Sequence, residues 1–441
     1  MKKIFAIISV ILAIAYMICG FNVVVYADTV DELRDKISEK GFKIEDLEKE
    51  IDIYNREIVK VQAESQTLTH AISELDWTRK KLNTDIAVTG NQIESTGYTI
   101  EKIQVEINNA TGKIQSGNLA IANLMRTMDE LEAQSLIEVL LANEELSDFW
   151  NDLESLQNSR ETISDNLVAL EILKNELKAK KSEDEEEKQE LEELESKFVD
   201  QKKVVEYNKK EKTTLLTKTK SKESEYQGLL AEKKAAKEAF EQELAEYESQ
   251  LKIIIDQSRL PALGSGVLGW PLKDLSIKSC YDGSTDAGNC VTQYFGDTAF
   301  ARTGAYNGKN HSGVDFRAAV GEQLYSSAAG TVIGVGDTDT VCRYASYGKW
   351  VLISHDNGLS TLYAHLSLIK VQSGQYVHKG DIIGYSGNTG HSTGPHLHYS
   401  VYASEGVSIG QLKSRACSGA IYTIPLAPFN AYLNPIDYLA Q

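Results

Sequence analysis

The chain has 441 residues and a formal net charge of −18, which leaves room for two or three domains. Residues 261–441 carry 12 acidic and 11 basic residues, so nearly all of the negative charge lies on the first 260. That balance excludes a nucleic-acid-binding protein, because phosphate contacts need clustered Lys and Arg.

Taken in chain order, the first feature is an export signal. Lys2 and Lys3 precede an apolar run over residues 5–27, and Val25-Tyr26-Ala27 offers a cut ahead of Asp28. The run is long for a signal and approaches a membrane span, so residues 1–27 are either a cleaved signal peptide or a retained anchor. Both alternatives put the remainder outside the cytoplasm, extracellular or associated with wall or membrane, because the lysines stay inside. Ile18 before Cys19 argues against a lipoprotein anchor.

Residues 28–257 are Pro-free and rich in Glu and Lys. A seven-residue row runs Ile44, Ile51, Ile58, Ser65, Ile72, Arg79, Ile86 and on through Ile121 to Met128, with a companion row from Leu47 to Leu131. Apolar a and d positions over thirteen heptads predict a helix seeking a partner along its length. Gly90, Gly97, Gly112 and Gly117 predict bends in its middle. A second helical stretch runs from about 166 to 257, and between the two an apolar segment near 131–156 holds Leu140, Leu141, Phe149 and Trp150. Two long helices joined by an apolar tip make an antiparallel coiled-coil hairpin; a parallel dimer of one continuous rod is the alternative.

The Gly-, Pro- and Ser-containing stretch 258–269 reads as a linker. Residues 270–441 read as mainly antiparallel β, with short runs at 323–335, 349–354, 359–364, 369–377 and 381–386 and a hairpin signal at Asp356-Asn357-Gly358. The fold class is therefore multidomain α plus β. Setting Cys19 aside leaves Cys280, Cys290, Cys342 and Cys417, an even number that favours two disulfides in an exported domain. Cys280 with Cys290 and Cys342 with Cys417 is the preferred pairing of three possible; thiolate zinc ligation is the alternative, though no C-x-x-C pair is present.

Histidine is scarce before this domain, where only His70 occurs. Within it lie His311-Ser312-Gly313-Val314-Asp315, His365 and His396-Leu397-His398, with His355, His378 and His391 outside that pattern. Neutral imidazole and carboxylate are zinc ligands, and catalytic sites use three of them with a fourth position left to water. Gly313 lets the backbone bend so that His311 and Asp315 reach one ion. On a strand, His396 and His398 point to one face roughly 6.5 to 7 Å apart. One can ligate while its neighbour reaches substrate.

Residues 268–441 resemble the lysostaphin/LytM-type zinc metalloendopeptidases, peptidase family M23. The likeness rests on Trp270-Pro271-Leu272, Gln293-Tyr294-Phe295-Gly296, the H-x-x-x-D at 311–315, Tyr363-Ala364-His365-Leu366, Gly390-His391-Ser392-Thr393-Gly394-Pro395-His396-Leu397-His398 and Asn434-Pro435. The resemblance implies one zinc ion held by His311, Asp315 and His398, with His365 and His396 assisting catalysis. It also implies a secreted endopeptidase hydrolysing peptide cross-links of peptidoglycan, in cell-wall remodelling or division. The insertion holding Cys280 and Cys290 departs from the simplest family pattern and bears on the substrate groove. The helical part resembles the coiled coils of EnvC-like and PcsB-like proteins, through Leu140-Leu141-Ala142 and Leu146-Ser147-Asp148-Phe149-Trp150. That resemblance implies docking onto the extracytoplasmic part of an ABC-transporter-like division complex and control of the catalytic domain. The alternative it leaves open is a non-catalytic activator or scaffold for other wall hydrolases.

Overall fold

The computed structural model describes residues 30, 32–51, 53–58, 67–132, 146–248, 255–281, 288–296, 311–344, 346–392, 394–414 and 417–440. The expected signal segment 1–27, the middle of the expected tip, and the side chains of Phe149 and Trp150 lie outside the described residues. Among the described residues a helical segment over 32–51 and 53–58 is followed by three long helices: α1 (Leu68–Glu132), α2 (Leu146–Thr219) and α3 (Glu223–Glu248). No helix among the described residues is long and apolar enough to cross a membrane.

The chain forms two compact units, residues 1–46 with 88–197, and residues 47–87 with 198–441. In the first, Ile114, Ile121 and Leu124 of α1 pack on Ile163 and Leu170 of α2, and Lys180 pairs with Glu106 at 2.9 Å. Rising numbers on one helix meet falling numbers on the other, so the pair is antiparallel. A helical segment over 32–51 lies against α1 as well, for Lys40 pairs with Glu94 and the Lys36 ammonium sits 5.4 Å over the Tyr98 ring. Those contacts are impossible in one continuous rod. The heptad row beginning at Ile44 is therefore divided between two helices, and the chain reverses between them. Two local signals accompany the break: Ser65 stands where the row otherwise has mostly isoleucine, and the Thr67 hydroxyl caps α1 by accepting from the His70 amide at 3.3 Å.

In the second unit the same antiparallel sense holds. Lys212 pairs with Asp76 at 2.7 Å, and the Leu68 amide donates to Glu223 at 2.8 Å. Leu82 of α1 and Val204 of α2 bury themselves against Val320 and Tyr385 of the β part.

The β part of this unit comprises β1 (Leu275–Ser279), β2 (Asn289–Gln293), β3 (Val314–Arg317), β4 (Gln323–Tyr325), β5 (Gly330–Asp337), β6 (Lys349–His355) and β7 (Leu359–Leu366). It continues with β8 (Leu368–Ile369), β9 (Tyr376–Val377), β10 (Ile382–Tyr385), β11 (His396–Ala403), β12 (Ser408–Lys413), β13 (Ile421–Leu426) and β14 (Tyr432–Leu433). The main sheet has the order β1-β2-β3-β11-β7-β6-β5-β9, with β14 also on β11. A small sheet, β4-β10-β8, and the β12-β13 pair complete it. All pairs but β1-β2 are antiparallel.

Two runs expected as single strands are each split between sheets. Residues 323–335 become β4 and β5 because Ser326 and Ser327 turn the chain, their polar groups held by Ala328 O and by the Tyr363 hydroxyl. Residues 369–377 become β8 and β9 around Gly374, whose φ of 86° a side chain would resist.

Every residue of β7 is buried. One face of the sheet packs Phe316, Val351, Tyr363, Leu397 and Tyr399 together, and the other packs Trp350, Leu352, Leu362 and Tyr402 with Leu244 of α3 and Ile255. Leu268, in the stretch expected as linker, is fully buried and bridges to Leu439. Disulfides join Cys280 to Cys290 and Cys342 to Cys417.

Near this core His355 is buried, with Nε2 2.7 Å from the Thr361 hydroxyl and Nδ1 3.3 Å from Ala329 O. Burial pushes its pKa down to about 4. A histidine that stays neutral in the fold but charges when unfolded near pH 6.5 destabilises the fold as pH falls below 6.5. The loss is complete below about pH 4 and amounts to about 3 kcal/mol. Urea unfolding at pH 7 and pH 4.5 should show a smaller pH dependence in His355→Gln; an identical dependence would remove His355 as its source.

Candidate metal centre

The site grows from the register of three neighbouring strands. On β11, His398 stands directly opposite Asp315 of β3 on one side and Ala364 of β7 on the other. Because side chains two apart on a strand share a face, His396 joins His398 on the site side. His311 arrives from the bridge that links it to Gly296, just before β3. The loop between needs Gly313: a Cβ there would lie 2.9 Å from the His398 ring and 2.6 Å from Tyr399 O. His365, near the end of β7, holds φ at 66°, a conformation uncommon for a residue with a side chain. Such strain is tolerated where surrounding contacts over-determine it.

His311, Asp315 and His398, all buried, bring one ligand atom each within 4.8 Å of one another. Asp315 Oδ1 is 2.8 Å from His398 Nδ1 and 3.3 Å from His311 Nε2, and the two imidazole nitrogens are 3.3 Å apart. The other nitrogen of each ring is held from behind. His311 Nδ1 lies 3.0 Å from Tyr294 O, and His398 Nε2 lies 3.0 Å from the Ser400 hydroxyl. Partners of this kind fix which nitrogen faces an ion. His365 Nδ1 is 2.9 Å from Thr389 O and His396 Nδ1 is 2.8 Å from Gly394 O, so each turns Nε2 toward the site. Their ring centres are 4.6 Å apart.

The electrostatics suit a cation. Burial pushes the Asp315 carboxyl up, but the His311 and His396 imidazoles and the hydrogen bonds from His311 and His398 more than offset it. The carboxyl ends well below the usual carboxylate range. Burial, and then the neighbouring His396 and His398 rings, push His365 well below its ordinary value, so it is neutral at pH 7. A carboxylate held ionised and two imidazoles, close together and out of water, form a donor set that fits a divalent ion of the zinc type.

All five residues picked out in the sequence thus meet in one place. His391, outside the pattern, is a buried structural residue whose ring donates to the carbonyl of Lys233 in α3 at 3.0 Å. Ser400 and the carbonyls of Tyr294 and Thr389 escaped sequence reasoning. Ser400 alone carried a signal, two residues beyond His398 on the same strand face.

The family model "Peptidase family M23" matches residues 309–410, the stretch that carries all five. The C-terminal domain belongs to peptidase family M23. Among curated relatives of the M23 domain, the "DD-carboxypeptidase/endopeptidase Mpg" of Neisseria meningitidis serogroup B is 45% identical over 89 residues, 20% of this chain and 19% of that protein. The "Peptidoglycan DD-endopeptidase ShyA" of Vibrio cholerae is 46% identical over 90 residues, 20% of this chain and 19% of its own length. The chain spans about a fifth of the length of these relatives. Among solved structures, the catalytic domain of lysostaphin from Staphylococcus simulans is 30% identical, covers 30% of this chain and 81% of that domain, and has a TM-score of 0.22.

Proposed function

We propose that the protein is an exported zinc-dependent endopeptidase that hydrolyses peptide cross-links of peptidoglycan and is held in check by its helical arm. The observation that carries this reading is the convergence of His311, Asp315 and His398 beside two further imidazoles in an M23 domain. The names of the two relatives support the substrate. Export is supported by the sequence of residues 1–27 and by the two disulfides.

In this reading His311 Nε2, an Asp315 oxygen and His398 Nδ1 hold the ion. When bound, zinc lowers the pKa of a water toward about 7 and polarises the scissile carbonyl. His365 and His396 move the protons. Each is pinned through Nδ1 and presents Nε2, so one takes a proton from the attacking water while the other steadies the developing oxyanion or protonates the leaving amine.

Support for control comes from the contacts of the arm with this domain. Besides Leu82 and Val204, the arm gives Lys81 to Glu322, Asp200 to Lys370 at 3.0 Å and Glu211 to Arg343 at 3.7 Å. A cavity of about 100 Å³ is lined by Tyr207, Glu211 and Lys233 of the arm together with Tyr344, Gly394 and Pro395. Gly394 and Pro395 belong to the loop that holds His396. Wall substrate and arm therefore compete for one rim. For the far part of the arm, the resemblance to EnvC-like and PcsB-like coiled coils is the support for an ABC-transporter-like partner complex.

The test is mass spectrometry of fragments released from defined cross-linked muropeptides by the zinc-loaded full chain and by a Leu82→Asp, Val204→Asp variant. The variant should cut roughly tenfold faster, within the usual range of coupling between sites. Equal rates would remove the arm from control, and a zinc-loaded variant that cuts no peptide bond would remove the endopeptidase.

A further inference from the structure

Further along β11 from the metal centre, three tyrosines gather beside a buried carboxylate. Glu248 of α3 is 3% exposed. It accepts from the Tyr432 hydroxyl at 2.6 Å and from the Ala427 amide at 3.2 Å. Tyr432 of β14 sits opposite Tyr402 of β11, with ring centres 4.8 Å apart. The buried Tyr402 hydroxyl lies near Ser400 and the Tyr347 phenol without a hydrogen bond to either, so Tyr402 joins the group through its ring, and Ser400 holds His398 Nε2. Tyr347 completes the circuit: its ring lies 6.0 Å from that of His398, tilted by 32°, and its carbonyl accepts from the His365 amide at 2.9 Å.

A carboxylate buried beside a hydrophobic core costs stability unless it is well hydrogen-bonded. Leu or Met of similar volume would fill the space without that cost, so packing does not explain glutamate here. What glutamate supplies is an acceptor that orients phenol donors. Burial first, and then Glu248 itself, push the Tyr432 phenol well above its ordinary pKa, which keeps it a proton donor.

We propose that Glu248 is a positioning residue for the metal centre: it anchors the Tyr432–Tyr402–Tyr347 cluster that sets the ring of His398, and so ties the arm to the ion site. This rests on the reading of His398 as a ligand. The test uses the full chain. In Glu248→Ala and Tyr432→Phe the zinc dissociation constant, measured by competition with a chromophoric chelator, should rise about tenfold, as for other outer partners of metal ligands. The visible absorption bands of the cobalt-loaded forms should shift with it. Glu248→Gln, which keeps an acceptor oxygen for Tyr432, should return both readouts toward the unsubstituted protein. Unchanged zinc affinity and cobalt spectra in the Ala and Phe variants would overturn the inference, as would a folded Gln variant no better than Ala. An unsubstituted chain that takes up no zinc would sink the metal-centre reading together with it.

Discussion

Replacing His398 by alanine should cost the protein its stoichiometric zinc and slow peptide hydrolysis by about 10³-fold or more. The size follows from what the ion contributes, several kcal/mol of charge stabilisation and a nucleophile at neutral pH. The position is unforgiving because His398 touches everything. Its Nδ1 is 2.8 Å from Asp315, its Nε2 is held by Ser400, and Gly313 has no side chain so that the ring can sit where it does. Alanine removes a donor and leaves Asp315, already buried, with one fewer hydrogen bond. Elemental analysis of the folded variant, alongside its rate on cross-linked muropeptides, checks the expectation. A variant that still holds one zinc per chain and cuts at the normal rate would show that His398 is no ligand.

His365→Gln should behave differently. Zinc should stay while kcat falls by about 10²- to 10⁴-fold, the range for loss of a positioned proton carrier. The structural basis is a separation of tasks between neighbouring rings, that of His365 lying 6.1 Å from that of His398. His365 Nδ1 is committed to Thr389 O, and burial with the neighbouring imidazoles keeps the ring neutral, so Nε2 is an acceptor at working pH. Glutamine can reproduce the contact with Thr389 O but cannot carry the proton. Loss of zinc from this variant would move His365 into the ligand set; an unaltered kcat would leave His396 to do the proton work alone.

The cluster of histidines with Asp315 was legible in the sequence because histidine is rare here and the chemistry restricts which side chains can serve. His311, Asp315, His365, His396 and His398 are recognisable as types and as spacings. Their supports were not legible for a physical reason. Tyr294 and Thr389 act through main-chain carbonyls, which any residue possesses, and Glu248 meets Tyr432 only because α3 packs on β14. In the helical part, periodicity correctly indicated long antiparallel helices but could not show where the chain reverses. The a and d rows are the same on either side of Ser65 and Thr67, and direction along a seam leaves no trace in a seven-residue repeat. The β runs were placed well, although those at 323–335 and 369–377 concealed crossings between sheets, because a serine pair or one glycine suffices to turn a strand.

The alignment of β11 between β3 and β7 has a further consequence. Side chains on a strand alternate between faces, so sliding β11 by one position would send both of its histidines to the opposite face and present Leu397 beside Asp315 and His311 instead. On the proposed reading, metal uptake would therefore report correct pairing of the central strands. A chain that matured with those strands out of step would, on that reading, fold as a β protein with no place for the ion.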